Sequence, residues 1–310
     1  MSQQKINFRQ ERDLGSVLGD AIKFIKQNFK SFFLSIILIV GPFLLLMSIL
    51  YAYVQENMLS YYKPNPANPF GLFNQDYFLS IAFMVIGGFI VNILLSGVTY
   101  NYLCLYNEKP FGEKITTSEV ARRLWDNIGR LIISAVTFML TIIFILFVIA
   151  VICIGGISGL GIAGGVIIGI LIFFAAIIFL PVFMYVIPAS FYLVVRDNVF
   201  IFTAIGTVRK FLSGNFWWTW LMMIVTLMAV GILQGIFNLP ATILGMLKMF
   251  RLGQASESGN SLLLIVFYTL GMFLTYCTSS ISHIITAFNF MSHEEKHEGK
   301  GLQAKIEEII

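Results

Sequence analysis

Long apolar stretches alternate along this chain with short segments that carry positive charge on one helical face. Six stretches are long enough to cross a bilayer, which needs roughly 20 apolar residues. They cover about residues 33–54, 77–106, 132–154, 166–195, 216–239 and 262–290. Each pair is preceded by an amphipathic segment. In the first, 13–33, Leu14, Val17, Leu18, Ala21, Ile25 and Phe32 recur at helical spacing, while Lys23, Lys26 and Lys30 fall largely opposite. In the second, 116–131, Val120, Leu124, Ile128 and Leu131 form the apolar face, and Arg122, Arg123 and Arg130 lie elsewhere. In the third, 197–212, Ile201, Ile205, Val208 and Leu212 are apolar and Arg209 and Lys210 carry the charge. This is the pattern of helices lying in a membrane interface.

The fold class expected is therefore all-α, a polytopic membrane protein of six transmembrane helices. An interfacial helix plus a transmembrane hairpin is written three times, over about 13–106, 116–195 and 197–290. The three basic segments line up on Asn28, Asn127 and Asn215, with Ala21, Val120 and Val208 seven residues earlier. Residues 1–12 are polar and expected to be flexible; 13–290 form the membrane domain, and 291–310 a charged tail.

Boundary signals refine these elements. Asp13 can cap the first helix, Thr116 with Glu119 has capping-box spacing, and Asp197 or Asn198 can cap the third amphipathic helix. Pro64, Pro66 and Pro69 place a loop at 55–76. The glycine-rich run 155–165 predicts a tight turn, Pro181 and Pro188 predict kinks, and Pro240 is expected to end the fifth span before a loop at 241–260.

Composition and charge sharpen the class. Of 310 residues, 58% are hydrophobic and only 12% charged, against about 25% charged in soluble domains. Residues 131–195 contain no Asp, Glu, Lys, Arg or His, which excludes a water-soluble core there. In the six-span arrangement, 17 of the 20 Lys and Arg fall on one side, with Lys63, Lys248 and Arg251 on the other. The positive-inside rule then puts both termini in the cytoplasm. About thirty polar and amphipathic residues precede the first apolar run, so no cleaved signal is expected. Cys104, Cys153 and Cys277 lack metal or redox spacing and read as small buried hydrophobes.

One stretch carries a family resemblance. Pro188, Arg196-Asp197-Asn198, Ala204 and KFLSGNFWWTW at 210–220 resemble the integral membrane domain associated with bacterial glycerophosphodiester phosphodiesterases and related stand-alone membrane proteins. Asp197 stands where that group often has Glu, and no soluble stretch here is long enough for the phosphodiesterase domain. The resemblance implies a membrane fold and an anchoring or scaffold role, and it transfers no active site.

Candidate chemistry is sparse. His293-Glu294-Glu295-Lys296-His297 matches HExxH, in which two histidines one turn apart bind zinc. Its charged intervening positions, and Lys300 where the longer motif needs Gly, argue for a solvated tail instead, so no metal or cofactor is expected. Thr275, Ser279, Ser282, His283, Thr286 and Asn289 form a polar stripe on the sixth span. Buried titratable groups in a span are functional candidates, and the competing reading is hydrogen-bonded packing between helices. Ser279 or Ser282 with His283 lacks the carboxylate a hydrolase needs. Gly161, Gly165 and Gly169, and Gly231 with Gly235, have the spacing of close helix contacts, within the chain or to a partner. Trp217, Trp218 and Trp220 read as an interfacial belt. Lys23, Lys26, Lys30, Arg122, Arg123, Arg130, Arg209 and Lys210 are candidates for lipid headgroups as well as determinants of topology. No phosphate-binding glycine loop or nucleic-acid patch is present.

These observations favour a non-enzymatic membrane protein, a structural, anchoring or assembly subunit that meets lipids and other subunits or itself. The alternative is a transporter or lipid-handling protein, in which Asn92, Gln234, Asn238 and Thr275 would converge on a mid-membrane cavity.

Overall fold

The computed structural model describes residues 5–61, 75–110, 112–251, 261–299 and 303. Among these there are eight helices: α1 (Leu14–Ile39), α2 (Gly41–Tyr61), α3 (Gln75–Glu108), α4 (Thr117–Gly159), α5 (Ala163–Asp197), α6 (Ile201–Leu212), α7 (Phe216–Arg251) and α8 (Ser261–Glu298). Five of them are long and apolar enough to cross a membrane, and the bent pair α1–α2 makes a sixth if counted as one span. Pro64, Pro66, Pro69, Lys63, Lys300 and Lys305 lie outside the described residues, as do 252–260.

The starts of α1 and α4 follow from local chemistry. The Asp13 carboxylate accepts from the Ser16 amide at 2.7 Å. At α4, Thr116 and Glu119 satisfy each other's backbone amides in a capping box. Between α4 and α5 the turn is a single break at Gly161, with φ 68° and ψ −168°, a conformation open in practice only to glycine.

Several boundaries differ from the sequence expectation. The first amphipathic helix does not stop near Phe33 but continues to Ile39, and the chain then bends by 66° into α2. Gly41 and Pro42 stand at the bend, where proline tolerates the first turn of a new helix but not the interior of an old one. The stretch 55–76 expected as a loop is helical at both its ends, since α2 runs to Tyr61 and α3 begins at Gln75, and residues 62–74 lie outside the described residues. The second basic segment is not a separate interfacial helix: it runs unbroken into α4. Only the third, α6, stands alone. Its N-cap is Phe200, without a side-chain hydrogen bond. Asp197 instead closes α5, and Asn198 is its left-handed C-cap at φ 56°, a conformation asparagine tolerates. Pro240 does not end the fifth span, because α7 passes through it to Arg251. Proline is admissible inside a membrane helix where neighbouring groups take up the freed carbonyl. That logic is visible at Pro181, which has no N–H for the carbonyl of Ile177. The indole Nε1 of Trp220 donates to that carbonyl instead, at 3.2 Å.

The core lies toward the end where charged segments gather. Phe24, Phe32, Tyr102, Tyr106 and Phe288 from α1, α3 and α8 interlock edge to face, with Phe24–Tyr106 centroids 5.1 Å apart and Phe32–Tyr102 5.2 Å. Such pairs add to the area term. Asparagine joins helices here by one device used repeatedly. Asn28, Asn101 and Asn215 each donate Nδ2 to the carbonyl four residues earlier. Each Oδ1 is thereby left for another element, taking Tyr102, Asn127 and Lys296 respectively. Away from this end, α7 and α8 pair antiparallel. A Cβ on Gly271 would sit 3.1 Å from the Phe237 carbonyl oxygen, so glycine there permits the close approach.

Candidate functional site

The segment before α1 is the first surprise. Residues 5–12 are not a flexible leader but a strap across the charged end. Ile6 and Phe8 are buried, and Phe8 packs on Tyr106 and Phe288 at 5.7 and 5.3 Å. Lys5 Nζ donates to the carbonyls of Asn107 and Lys109 at 2.9 and 2.7 Å. Arg12 is 5% exposed; its Nε pairs with Asp20 at 2.8 Å, and its guanidinium also donates to the carbonyls of Asn7, Phe8 and Gln10. The Arg12 amide is held by Ser292 of α8 at 2.8 Å. In the sequence the only signal was two apolar residues, Ile6 and Phe8, in a polar run.

Among the described residues the strap borders three cavities. One, of about 320 Å³, lies between Phe8, Arg9 and the Arg196–Glu294 pair. A second, about 180 Å³, lies beside Lys5, Asn28, Tyr106 and Lys114. The third, about 590 Å³, is bordered by Glu11, Arg12, Asn215, Trp218, His293 and Lys296. Arg196 locks this end: it makes two 2.6 Å bonds to Glu294 and stacks over Tyr192 and Phe290. Lys109 ties the α3–α4 loop to Glu113 and Glu119, both at 2.8 Å, and those bonds raise its pKa. The cap contacts with Ser16 lower that of Asp13.

The eight basic candidates divide. Arg123 is spent on a bidentate pair with Glu108 at 2.5 and 2.8 Å, and Arg130 on Asn198. Lys23, Lys26, Lys30, Arg122, Arg209 and Lys210 are exposed, beside the exposed aromatics Phe29, Trp125 and Phe202.

The polar stripe of α8 does not form one site. Thr275 accepts from Asn238 of α7 at 2.8 Å, and Gln234 donates to its carbonyl at 3.3 Å. His283 turns to α3, where Tyr100 lies at 3.2 Å from its Nδ1. Ser279 bonds its own helix at the Tyr276 carbonyl. Ser282 is half-buried. Asn289 is fully buried, and among the described residues neither its side-chain atoms nor the Thr286 hydroxyl has a hydrogen-bond partner. Asn92 is exposed and does not join Gln234, Asn238 and Thr275.

The 291–310 segment is not wholly a solvated tail, since α8 continues to Glu298. His293 is 2% exposed, with its Nε2 2.9 Å from the Thr219 hydroxyl. His297 instead meets the Phe211 ring at 5.5 Å. Among the described residues no three His, Cys, Asp or Glu side chains gather as metal ligands. The glycine stripes also resolve unevenly. A Cβ on Gly165 would press on Ile157 across the hairpin, whereas Gly169, Gly231 and Gly235 have nothing among the described residues within 4 Å of such a position.

Fold and site together define a helical protein with several spans apolar enough for a membrane, closed at one end by a polar, strapped cluster. Compared with protein-family models, curated proteins and solved structures, the chain matches none.

Proposed function

We propose that this chain is a non-enzymatic integral membrane protein, a structural, anchoring or assembly subunit of a membrane complex. One observation carries the reading. In the packed half, pairs such as Asn101–Asn127, Asn238–Thr275 and Thr219–His293 tie helix to helix, while the α4–α5 hairpin offers an apolar surface. Only 6% of the apolar window of α4 and 11% of that of α5 is buried within the chain. The resemblance to the phosphodiesterase-associated membrane domain agrees with an anchoring role.

In this reading the charged end faces the cytoplasm of a bacterial inner membrane. The grouping of 17 of 20 Lys and Arg in segments assigned to that side supports the orientation. The three amphipathic segments are remnants of a repeat that has diverged in how each joins its span. The buried Ala21, Val120 and Val208 at matching positions support this.

The test is capture of the full chain from native membranes in mild detergent. A stoichiometric protein partner, lost when Phe144 and Phe147 are both replaced by Ala, is the expected result. A monomer that co-purifies with lipid alone overturns the reading in favour of lipid handling.

A further inference from the structure

Asn92 is a polar group that the packing of the spans leaves over. It is exposed on α3, and among the described residues its side chain makes no hydrogen bond. Its depth makes that costly. Asp76 and Glu108, the nearest charged residues of α3 on either side, are equally far from it, about 24 Å along the axis at 1.5 Å per residue. Asn92 therefore stands at the middle of the span, in hydrocarbon. A carboxamide without a partner there carries the full cost of leaving water.

Other outward-looking polar groups of the spans are satisfied at home. Thr141, Ser158 and Thr242, all exposed, donate to the carbonyl four residues earlier at 2.8, 2.7 and 3.0 Å. Asn238 donates to the Gln234 carbonyl at 2.8 Å and also reaches Thr275 of α8. Asn92 takes neither course, although the Gly88 carbonyl stands at the same offset on its own helix. The surface around it is apolar and open. Val85, two turns earlier on the same side, is 62% exposed, and Ala82 is exposed as well.

The chemistry of the side chain identifies the occupant. A carboxamide carries both a donor and an acceptor, so it is complementary to itself. A two-fold axis sets a residue beside it against its own copy. One asparagine then supplies both halves of the contact, and asparagine on a helix seam fixes register and assembly state in this way. A lipid tail offers no such group, and headgroups lie at the ends of the span.

We propose that α3 is a self-association face, on which Asn92 exchanges two hydrogen bonds with the partner's Asn92 across a two-fold axis and Val85 packs beside them. Each Nδ2 donates to the opposite Oδ1. The contact rests on α3 being a span, which its length and apolar composition support. It uses a different helix from the α4–α5 surface, so it stands or falls separately from the partner proposed there.

The experiment is Förster energy transfer between full-length copies labelled at the C-terminus with donor or acceptor. They are reconstituted in dioleoylphosphatidylcholine vesicles and diluted with lipid, alongside native mass spectrometry in mild detergent. Wild type is expected to show transfer that saturates at a dimer. Asn92→Leu should dissociate about tenfold more readily, and Asn92→Gln, which keeps the carboxamide, should stay within about twofold of wild type. Leucine suits a lipid-facing position, so unchanged thermal unfolding should certify the fold. Phe83→Leu, on the opposite side of α3 and 63% exposed, should leave the dimer intact, as should joint replacement of Phe144 and Phe147 by Ala. Transfer no greater than chance, or equal in wild type and Asn92→Leu, overturns the proposal. Loss in the Phe144 and Phe147 variant alone assigns the contact to the hairpin and overturns it too. A monomer whose bound lipid disappears in Asn92→Leu overturns it in favour of a lipid. Equal loss in Asn92→Gln and Asn92→Leu overturns the carboxamide pairing.

Discussion

The strapped end and the α4–α5 hairpin use the same kinds of residue differently. At the strapped end, hydroxyls and amides reach between elements as well as back along their own helix: Ser31 meets Tyr102 at 2.5 Å, Asn127 meets Asn101 at 3.2 Å, and Thr219 meets His293 at 2.9 Å. In the hairpin they fold back on their own helix. Thr137, Thr141 and Ser158 each donate to the carbonyl four residues earlier. The apolar residues divide the same way. Phe24, Phe32 and Leu124 are fully buried, whereas every residue from Ile142 to Val148, two full turns, is exposed. The first region is held together by the chain itself. The second is a hydrophobic rod whose neighbours must come from lipid or from another protein. Hydrophobicity alone does not separate them, because in a bilayer apolar surface gains little from helix contact and packing or hydrogen bonds must supply the specificity.

The contrast can be broken by substitution, and the expected effects fall in order. Arg12→Ala should be the most damaging, costing about 3–5 kcal/mol in detergent unfolding, because it strands Asp20 and releases the strap. Leu124→Ala should cost about 2–4 kcal/mol by opening a cavity against α3. Gly271→Val should cost about 1–3 kcal/mol by overpacking the α7–α8 contact. A double-mutant cycle of Asn238→Ala and Thr275→Val should return a coupling near 0.6 kcal/mol. Phe147→Ala in the hairpin should stay within about 0.5 kcal/mol in the same assay, and equal losses at Leu124 and Phe147 would erase the distinction. The smallest effect concerns pH. The folded pKa of Asp13 lies below the reference 3.8, so its cap contributes fully above the unfolded value and is lost as pH falls through the folded one. Hydrogen exchange of the Ser16 amide, compared between wild type and Asp13→Asn, should converge only at such acid pH.

Much of this frame was legible in the sequence, and the exceptions have physical causes. The charge-free run 131–195 announced a membrane hairpin, and Asp13, Thr116 and Glu119 announced their caps through local hydrogen bonding. What went unread depended on distant partners. Ile6 and Phe8 bury themselves only because Tyr106 and Phe288 are brought beneath them. Asp197 has the right chemistry for a cap but is drawn to Arg196 at 2.7 Å. Pro240 breaks helices in water, yet α7 continues through it. His293 was expected in a solvated tail, but Thr219 and the ring of Tyr185, 6.1 Å away, enclose it. The polar stripe of α8 followed helical spacing correctly, but spacing does not say which neighbour each position meets.

The central claim is that the hairpin surface belongs to a partner while the strapped end belongs to the chain. A photo-crosslinking amino acid at Phe147, activated in native membranes, tests it most directly. The account predicts one protein adduct of defined mass at Phe147 and none with the same probe at Leu124. Adducts to lipid alone at Phe147 would contradict it.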